Sequence, residues 1–191
     1  MNFAEKILVN SLFYNIFYSN SYIRWFLDFC ELDGIKEDIK CLEIGCGAGF
    51  TSYEIKRRFR VSLTAIDYDV QEIRLAEREF GKFGIRFLQA DGRELPFKDG
   101  LFELVLEMNA LHHIDRYEEA VKEAYRVLKK GGDFYMLDIS QYFLWPLLQF
   151  LPFEHFDGKF TRDRMIIDLE NAGFNVVRNK GWNLFFIHAK K

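Results

Sequence analysis

The segment that most restricts this chain is Ile39–Ile44, a short apolar run that stops at Gly45-Cys46-Gly47-Ala48-Gly49. Glycines at alternate positions let a backbone turn sharply and come close to a ligand, because no Cβ intrudes. A strand that ends in such a turn and passes directly into a helix is the opening unit of an open α/β sheet. A helix is expected over about 49–59, ending in Lys56-Arg57-Arg58, and Val61–Ile66 reads as a second strand ending at Asp67.

The same alternation continues to residue 139. Val70, Ile73, Ala76, Phe80 and Phe83 share one helical face, and Gly84 stops that helix. Ile85–Gln89 and Phe102–Leu106 read as the third and fourth strands. Asp115 and Glu118 have the spacing of a helix-starting capping pair. Tyr117, Ala120, Val121, Ala124, Tyr125 and Leu128 then repeat at helical intervals until Gly131-Gly132, and Phe134–Ile139 is a fifth strand. Nearly continuous apolar strands separated by helices imply a parallel sheet covered on both faces. Beyond a helix near Arg162–Ala172, the runs Phe174–Arg178 and Trp182–His188 are separated only by Asn179-Lys180-Gly181, a link short enough to demand antiparallel pairing. The expected fold is a Rossmann-like, seven-stranded, mostly parallel α/β sheet with one antiparallel C-terminal strand. With no internal repeat or low-complexity linker, residues 1–191 read as one domain. Its parts are an N-terminal helical lid (1–38), a cofactor-binding core (39–139), a lid insertion (140–160) and a C-terminal helix and hairpin (161–191).

Composition narrows the function. A net charge of −3 and a sequence pI near 5.9 disfavour a nucleic-acid binder built on a basic face. The uncharged stretches Ile7–Ile23 and Ile139–Phe153 carry Asn and Ser, or Pro146 and Pro152, so no membrane span is expected. Three cysteines without a CxxC pair read as reduced thiols, and the start lacks a basic leader, so a cytoplasmic location is expected. The chain has 21 Phe, 9 Tyr and 3 Trp. These cluster in residues 1–30 and 141–160, as a lid over an acceptor or as packing and a homodimer contact.

Ligands of open α/β sheets bind at the C-terminal strand ends. That rule selects Gly45–Gly49, Asp67-Tyr68, Asp91-Gly92 and Glu107–His113. Asp67 follows Gly49 by 18 residues, where a dinucleotide-type fold places a carboxylate for ribose hydroxyls. Asp91 is placed to accept from an exocyclic amine. A dinucleotide fingerprint needs Gly or Ala where Phe50 stands, and no phosphate-binding Lys-Ser/Thr follows the turn. An adenosine ligand without phosphate, S-adenosylmethionine, fits best.

Leu42–Gly49, Ala65-Ile66-Asp67, Gln89-Ala90-Asp91 with Leu95-Pro96-Phe97, Phe102–Val105, Ala110–Ile114 and Arg126–Gly132 stand in an order and spacing that resembles the class I S-adenosylmethionine-dependent methyltransferases, in the small-molecule branch. The resemblance implies that Gly45, Cys46 and Gly47 approach the methionine part, with Glu43 just before them. It implies that Asp67 and Tyr68 meet the ribose side, Asp91 and Gly92 meet adenine, and Met108 lies against the cofactor. It implies methyl transfer to a small, apolar or aromatic acceptor, or, alternatively, a non-catalytic cofactor-binding module or partner subunit. The family usually has Asp where Glu103 stands. His113 and His155 are candidate bases; adjacent His112 and His113 project differently, so at most one faces an acceptor. Asn109, His112 and His113 replace most of a metal-binding Glu-x-x-Glu-His pattern, and no metal is expected.

Overall fold

The computed structural model describes residues 20–32, 34–140 and 160–191. In chain order they form α1 (Asn20–Cys30), β1 (Lys40–Ile44), α2 (Phe50–Arg58), β2 (Ser62–Asp67) and α3 (Val70–Phe80). Then come β3 (Arg86–Gln89), β4 (Phe102–Met108), α4 (Tyr117–Val127), β5 (Leu128–Ile139), α5 (Arg162–Ala172), β6 (Asn175–Gly181) and β7 (Leu184–Lys190). Short 3-10 turns cover Gly81–Phe83 and Leu111–His113.

Seven strands make one sheet in the order β3-β2-β1-β4-β5-β7-β6. β1 lies in parallel between β2 and β4, with Leu42 opposite both Thr64 and Val105. β7 is the one strand running against its neighbours, as expected, but it is inserted between β5 and β6. The connection is Trp182-Asn183, because β6 continues through Asn179-Lys180 to Gly181 before turning.

Successive strand residues point to opposite faces, and both faces are apolar. Leu42, Ile44, Val105, Phe134, Met136, Phe185 and Ile187 pack under α4 and α5. Cys41, Leu63, Ala65, Leu104, Leu106, Tyr135, Leu137 and Phe186 pack under α1 and α2. Burial on both faces leaves no place for the alternating polar pattern of a one-sided sheet.

Two local expectations are corrected. α4 does not begin on an Asp115 cap: its N-cap is Arg116, in a left-handed conformation (φ 56°), with no side-chain cap hydrogen bond. The Arg116 carbonyl accepts from Glu119 N, and its guanidinium reaches the Glu119 carboxylate at 3.0 Å. The fifth strand begins at Leu128 rather than Phe134. Gly131 N donates to the Lys191 carbonyl and Gly132 accepts from Lys191 N, so the chain end extends the ladder past the glycines.

Three of the four aromatics of α1 serve packing. Tyr22 and Phe26 are buried, and Phe29 lies against Tyr135 and Phe186 with the Arg178 guanidinium over its ring. Trp25 is exposed, and Phe160 is buried between Tyr117 and Phe185. The other aromatics of both clusters, with His155, lie outside the described residues. Among the described residues no helix is long and apolar enough to cross a membrane. Phe26→Ala is expected to cost about 3–5 kcal/mol in urea unfolding, the value for truncating a fully buried Phe; a loss under 1 kcal/mol would show that α1 is not part of the core.

Candidate functional site

The turn after β1 is seated by its neighbour strand. Gly45 N and Cys46 N both donate to the Ile66 carbonyl at 2.9 Å, and Gly47 N donates to Asp67 Oδ2 at 2.8 Å. Asp67 Oδ1 accepts from Asp69 N at 2.8 Å, and Asp69 in turn caps α3 through Gln71 N. Each Asp67 oxygen keeps acceptor capacity after these bonds. Burial pushes the Asp67 carboxyl above its ordinary pKa, and the two backbone donors oppose that shift.

The glycines of the turn do different work. At Gly45 (φ 76°) a Cβ would overlap the Ala110 side chain, so the turn after β1 and the turn after β4 lie in direct contact. At Gly47 (φ 49°) nothing lies within 4 Å of where a Cβ would stand. The open side of the turn is therefore next to Asp67, where a ligand could approach the backbone.

Glu43 lies beneath this surface. Its carboxylate accepts from the Ser52 hydroxyl of α2, and burial pushes its pKa up to about 7. Cys46 is buried and its thiol points to the Gly47 carbonyl; Met108 is buried with Thr51 Oγ1 3.7 Å from its sulfur. These three side chains form the floor of the turn. Burial raises the thiol pKa of Cys30, Cys41 and Cys46 alike, which makes them poor nucleophiles.

At the end of β3, Asp91 is clamped by Arg93. The Arg93 Nη2 lies 2.7 Å from Oδ2, its Nε lies 3.0 Å from Oδ1, and its backbone N donates to Oδ1. That guanidinium holds the Asp91 carboxyl below the usual range, so it stays an ionised acceptor. Gly92 packs on Ile114 and Ile44. Tyr68, 71% exposed, stands beside Asp67 as an uncovered ring. At the end of β4, Asn109 (φ 56°) exchanges hydrogen bonds with the Tyr22 hydroxyl of α1.

Asp67 and Asp91 lie at the strand ends expected for them, while Arg93, whose Asp-x-Arg spacing in a turn carried the signal, is a partner of Asp91 that the sequence did not single out. It also left Arg126 without a role. Arg126 accepts nothing and donates to the Leu95 and Phe97 carbonyls, and it pairs with Glu123 and Asp99, which fixes the loop beyond Asp91 onto α4. Glu103 binds Lys40 N and Lys129 at the opposite end of its strand. His113 is exposed, its ring centroid 3.9 Å from that of buried His112. Among the described residues, no group of His, Cys, Asp and Glu is arranged to hold a metal ion.

The donor set fits an adenosine ligand without phosphate: two carboxylates at adjacent strand ends, an open glycine backbone, and no cation in the turn. Two measurements check this geometry. Gly47→Ala should lose only about 1–2 kcal/mol of stability from its left-handed backbone while weakening cofactor binding. Gly45→Ala, which collides with Ala110, should lose more stability; equal losses would contradict the assignment of an open and a closed side. Glu43, with its folded pKa raised to about 7, stabilises the fold most below its unfolded pKa and loses that contribution as pH rises toward 7. Glu43→Gln should flatten the fall in stability between pH 4.5 and 7, read from denaturant midpoints; an unaltered pH slope would refute the shift.

Comparison with known proteins agrees with this geometry. A family model described as a methyltransferase domain matches residues 42–136. The sterol 4-C-methyltransferase strm-1 of Caenorhabditis elegans is 31% identical over 109 residues, 55% of this chain and 32% of that protein. The fatty-acid O-methyltransferase of Mycolicibacterium smegmatis is 34% identical over 103 residues, 53% of this chain and 38% of that protein. The matched stretch thus spans about a third of these curated relatives. A crystal structure of an S-adenosylmethionine-dependent methyltransferase from Methanosarcina mazei shares the fold, with a TM-score of 0.70, 23% identity, and coverage of 83% of this chain and 95% of that one. With its glycine turn, paired strand-end carboxylates and sheet order, the chain belongs to the class I S-adenosylmethionine-dependent methyltransferases.

Proposed function

We propose that the protein transfers a methyl group from S-adenosylmethionine to a small acceptor with an apolar or aromatic body. The observation that carries this reading is the set formed by the open side of Gly47, the Asp67 carboxylate and the Arg93-held Asp91 carboxylate along one edge of the sheet. The bound cofactor supplies an electrophilic methyl group on a sulfonium sulfur. The protein aligns that carbon with the acceptor and excludes water, which contributes through orientation more than through covalent chemistry.

In this reading Asp67 accepts from the ribose hydroxyls and Asp91 from the adenine amine. The exposed Tyr68 ring offers a face to the base, and the Gly45–Gly47 backbone lies along the methionine portion. Neither carboxylate competes with a phosphate, and both favour the cationic ligand. The acceptor side is bounded by Asn109 and Tyr22. The apolar acceptor is supported by the aromatic wealth of the N-terminal segment and by matched relatives whose names specify a sterol and a fatty acid. The cytoplasm, where the cofactor is made, is the place this reading assigns to the reaction.

Asp67→Ala should weaken S-adenosylmethionine binding at least tenfold by calorimetry, about 1.4 kcal/mol, and unchanged affinity would remove the ribose assignment. Incubation of the wild-type protein with the cofactor and fatty acids, sterols and alkylphenols should yield a product heavier by one methylene. Tight cofactor binding without any methylated product would instead favour a non-catalytic binding module.

A further inference from the structure

The loop after β3 is closed by one backbone bond, from Glu94 N to the Asp91 carbonyl at 3.1 Å. A turn of that kind does not need side chains to hold it, yet Asp91 and Arg93 fold onto it as a pair. Arg93 N donates to Asp91 Oδ1 at 2.9 Å. Arg93 Nε donates to Oδ1 at 3.0 Å and to Oδ2 at 3.2 Å, and Nη2 donates to Oδ2 at 2.7 Å. Gly92, between them, lies against Ile114, Ile44 and Ala120, so the turn rests on the core while both side chains stay partly exposed.

A carboxylate offers about four lone-pair sites. Oδ1 is filled by the Arg93 backbone N–H and Nε–H, whereas Oδ2 takes Nη2–H and a longer share of Nε–H. The remaining acceptor capacity of Asp91 therefore lies on Oδ2. A bidentate guanidinium also fixes the plane of the carboxylate, which a single ammonium does not do. Charge keeps the group an acceptor: Arg93 holds the Asp91 carboxyl below its ordinary range, and Arg116 at the start of α4 acts in the same direction. Arg93 is itself favoured as a cation, first by Asp91 and then by Glu119 of α4 and Asp115. An ion pair this exposed adds little to stability. Its consequence is for what Asp91 can bind.

We propose that Arg93 is a positioning residue for the cofactor, and that by fixing Asp91 as a single-site acceptor it makes the protein select a 6-aminopurine over a 6-oxopurine nucleoside. This rests on the methyltransferase reading above, in which Asp91 accepts from the adenine amine. A 6-amino group brings an N–H to the open site on Oδ2. A 6-oxo group brings an oxygen, and two acceptors then face each other with no proton between them. The carboxylate has then lost water and gained no donor, which is the costly case for a polar group in a binding site. Without the guanidinium the carboxylate is free to turn away from the base, so removal of Arg93 relaxes the choice of base rather than abolishing binding. A role confined to holding the loop would act on both nucleosides alike, since they differ only around C6.

The test measures, by calorimetry, the affinities of wild type, Arg93→Met and Arg93→Lys for S-adenosylhomocysteine and for S-inosylhomocysteine, its 6-oxo counterpart. Wild type should prefer the adenosyl compound by about a hundredfold or more. Arg93→Met keeps an unbranched side chain and removes its donors. It should bind the adenosyl compound about three- to tenfold more weakly and lose about tenfold or more of the preference. Arg93→Lys restores the charge without the paired donors and should recover no more than part of that preference. Full recovery in Arg93→Lys would show that charge alone suffices and overturns the fixed orientation of Asp91. An Arg93→Met protein whose two affinities fall by the same factor, or do not change, overturns the positioning role. Wild type that binds both compounds equally overturns the selection of the base, whereas wild type that binds neither overturns the methyltransferase reading itself.

Discussion

The hydrogen bonds from Gly45 N and Cys46 N to a single carbonyl, Ile66 O, set the geometry on which the rest of the site depends. They seat the turn after β1 on the end of β2, and Asp67 completes the attachment through Gly47 N. The other side of the turn is closed by Ala110, so strands β2 and β4 both fix its position. A turn held from both sides presents its open backbone without a conformational search, and preorganisation of that kind reduces the ordering cost of binding. Parallel pairing across β2, β1 and β4 is what brings Asp67, Gly47 and Asn109 to one edge.

The acidic residues of this edge have similar chemistry and different surroundings. Asp91 is held ionised by Arg93, whereas burial pushes Asp67, Glu43 and Glu107 upward, the neighbouring Asp138 adding to the rise at Glu107. The carboxylates nearest the open side of the turn are the ones bonded to backbone N–H or guanidinium groups and still able to accept. Those underneath are held by neighbouring donors, Glu43 by the Ser52 hydroxyl and Glu107 by Ala110 N and Leu111 N. The arrangement places the Asp67 and Asp91 carboxylates where a sulfonium ligand would gain from negative charge.

The sheet, its helices and the strand ends that carry the candidate site were legible because they rest on periodic apolar positions and on glycine spacing, which are local signals. Glu43, Gly45 and Asp67 occupy the expected strand ends for that reason. The start of α4 was misread at Asp115, since a capping pattern cannot register that Arg116 takes a left-handed backbone conformation. The early start of β5 rests on Leu128 pairing with Phe102 and on Gly131 and Gly132 bonding Lys191, 60 residues beyond Gly131, and contacts of that range leave no mark near Gly131. Asp138 escaped notice for a similar reason: a single acid at the end of an apolar strand becomes informative only when Glu107 and His112 are seen to meet it. The aromatic excess divides, with Tyr22, Phe26, Phe29 and Phe160 in packing contacts.

The account is tested most directly by a crystal structure of the protein with S-adenosylhomocysteine. It predicts ribose hydroxyls on the Asp67 carboxylate, the adenine amine on Asp91 with Arg93 still paired to it, and the amino-acid portion along Gly45–Gly47. Nucleoside bound away from the ends of β1, β2 and β3, or an Asp67 carboxylate with no ligand contact, would contradict it.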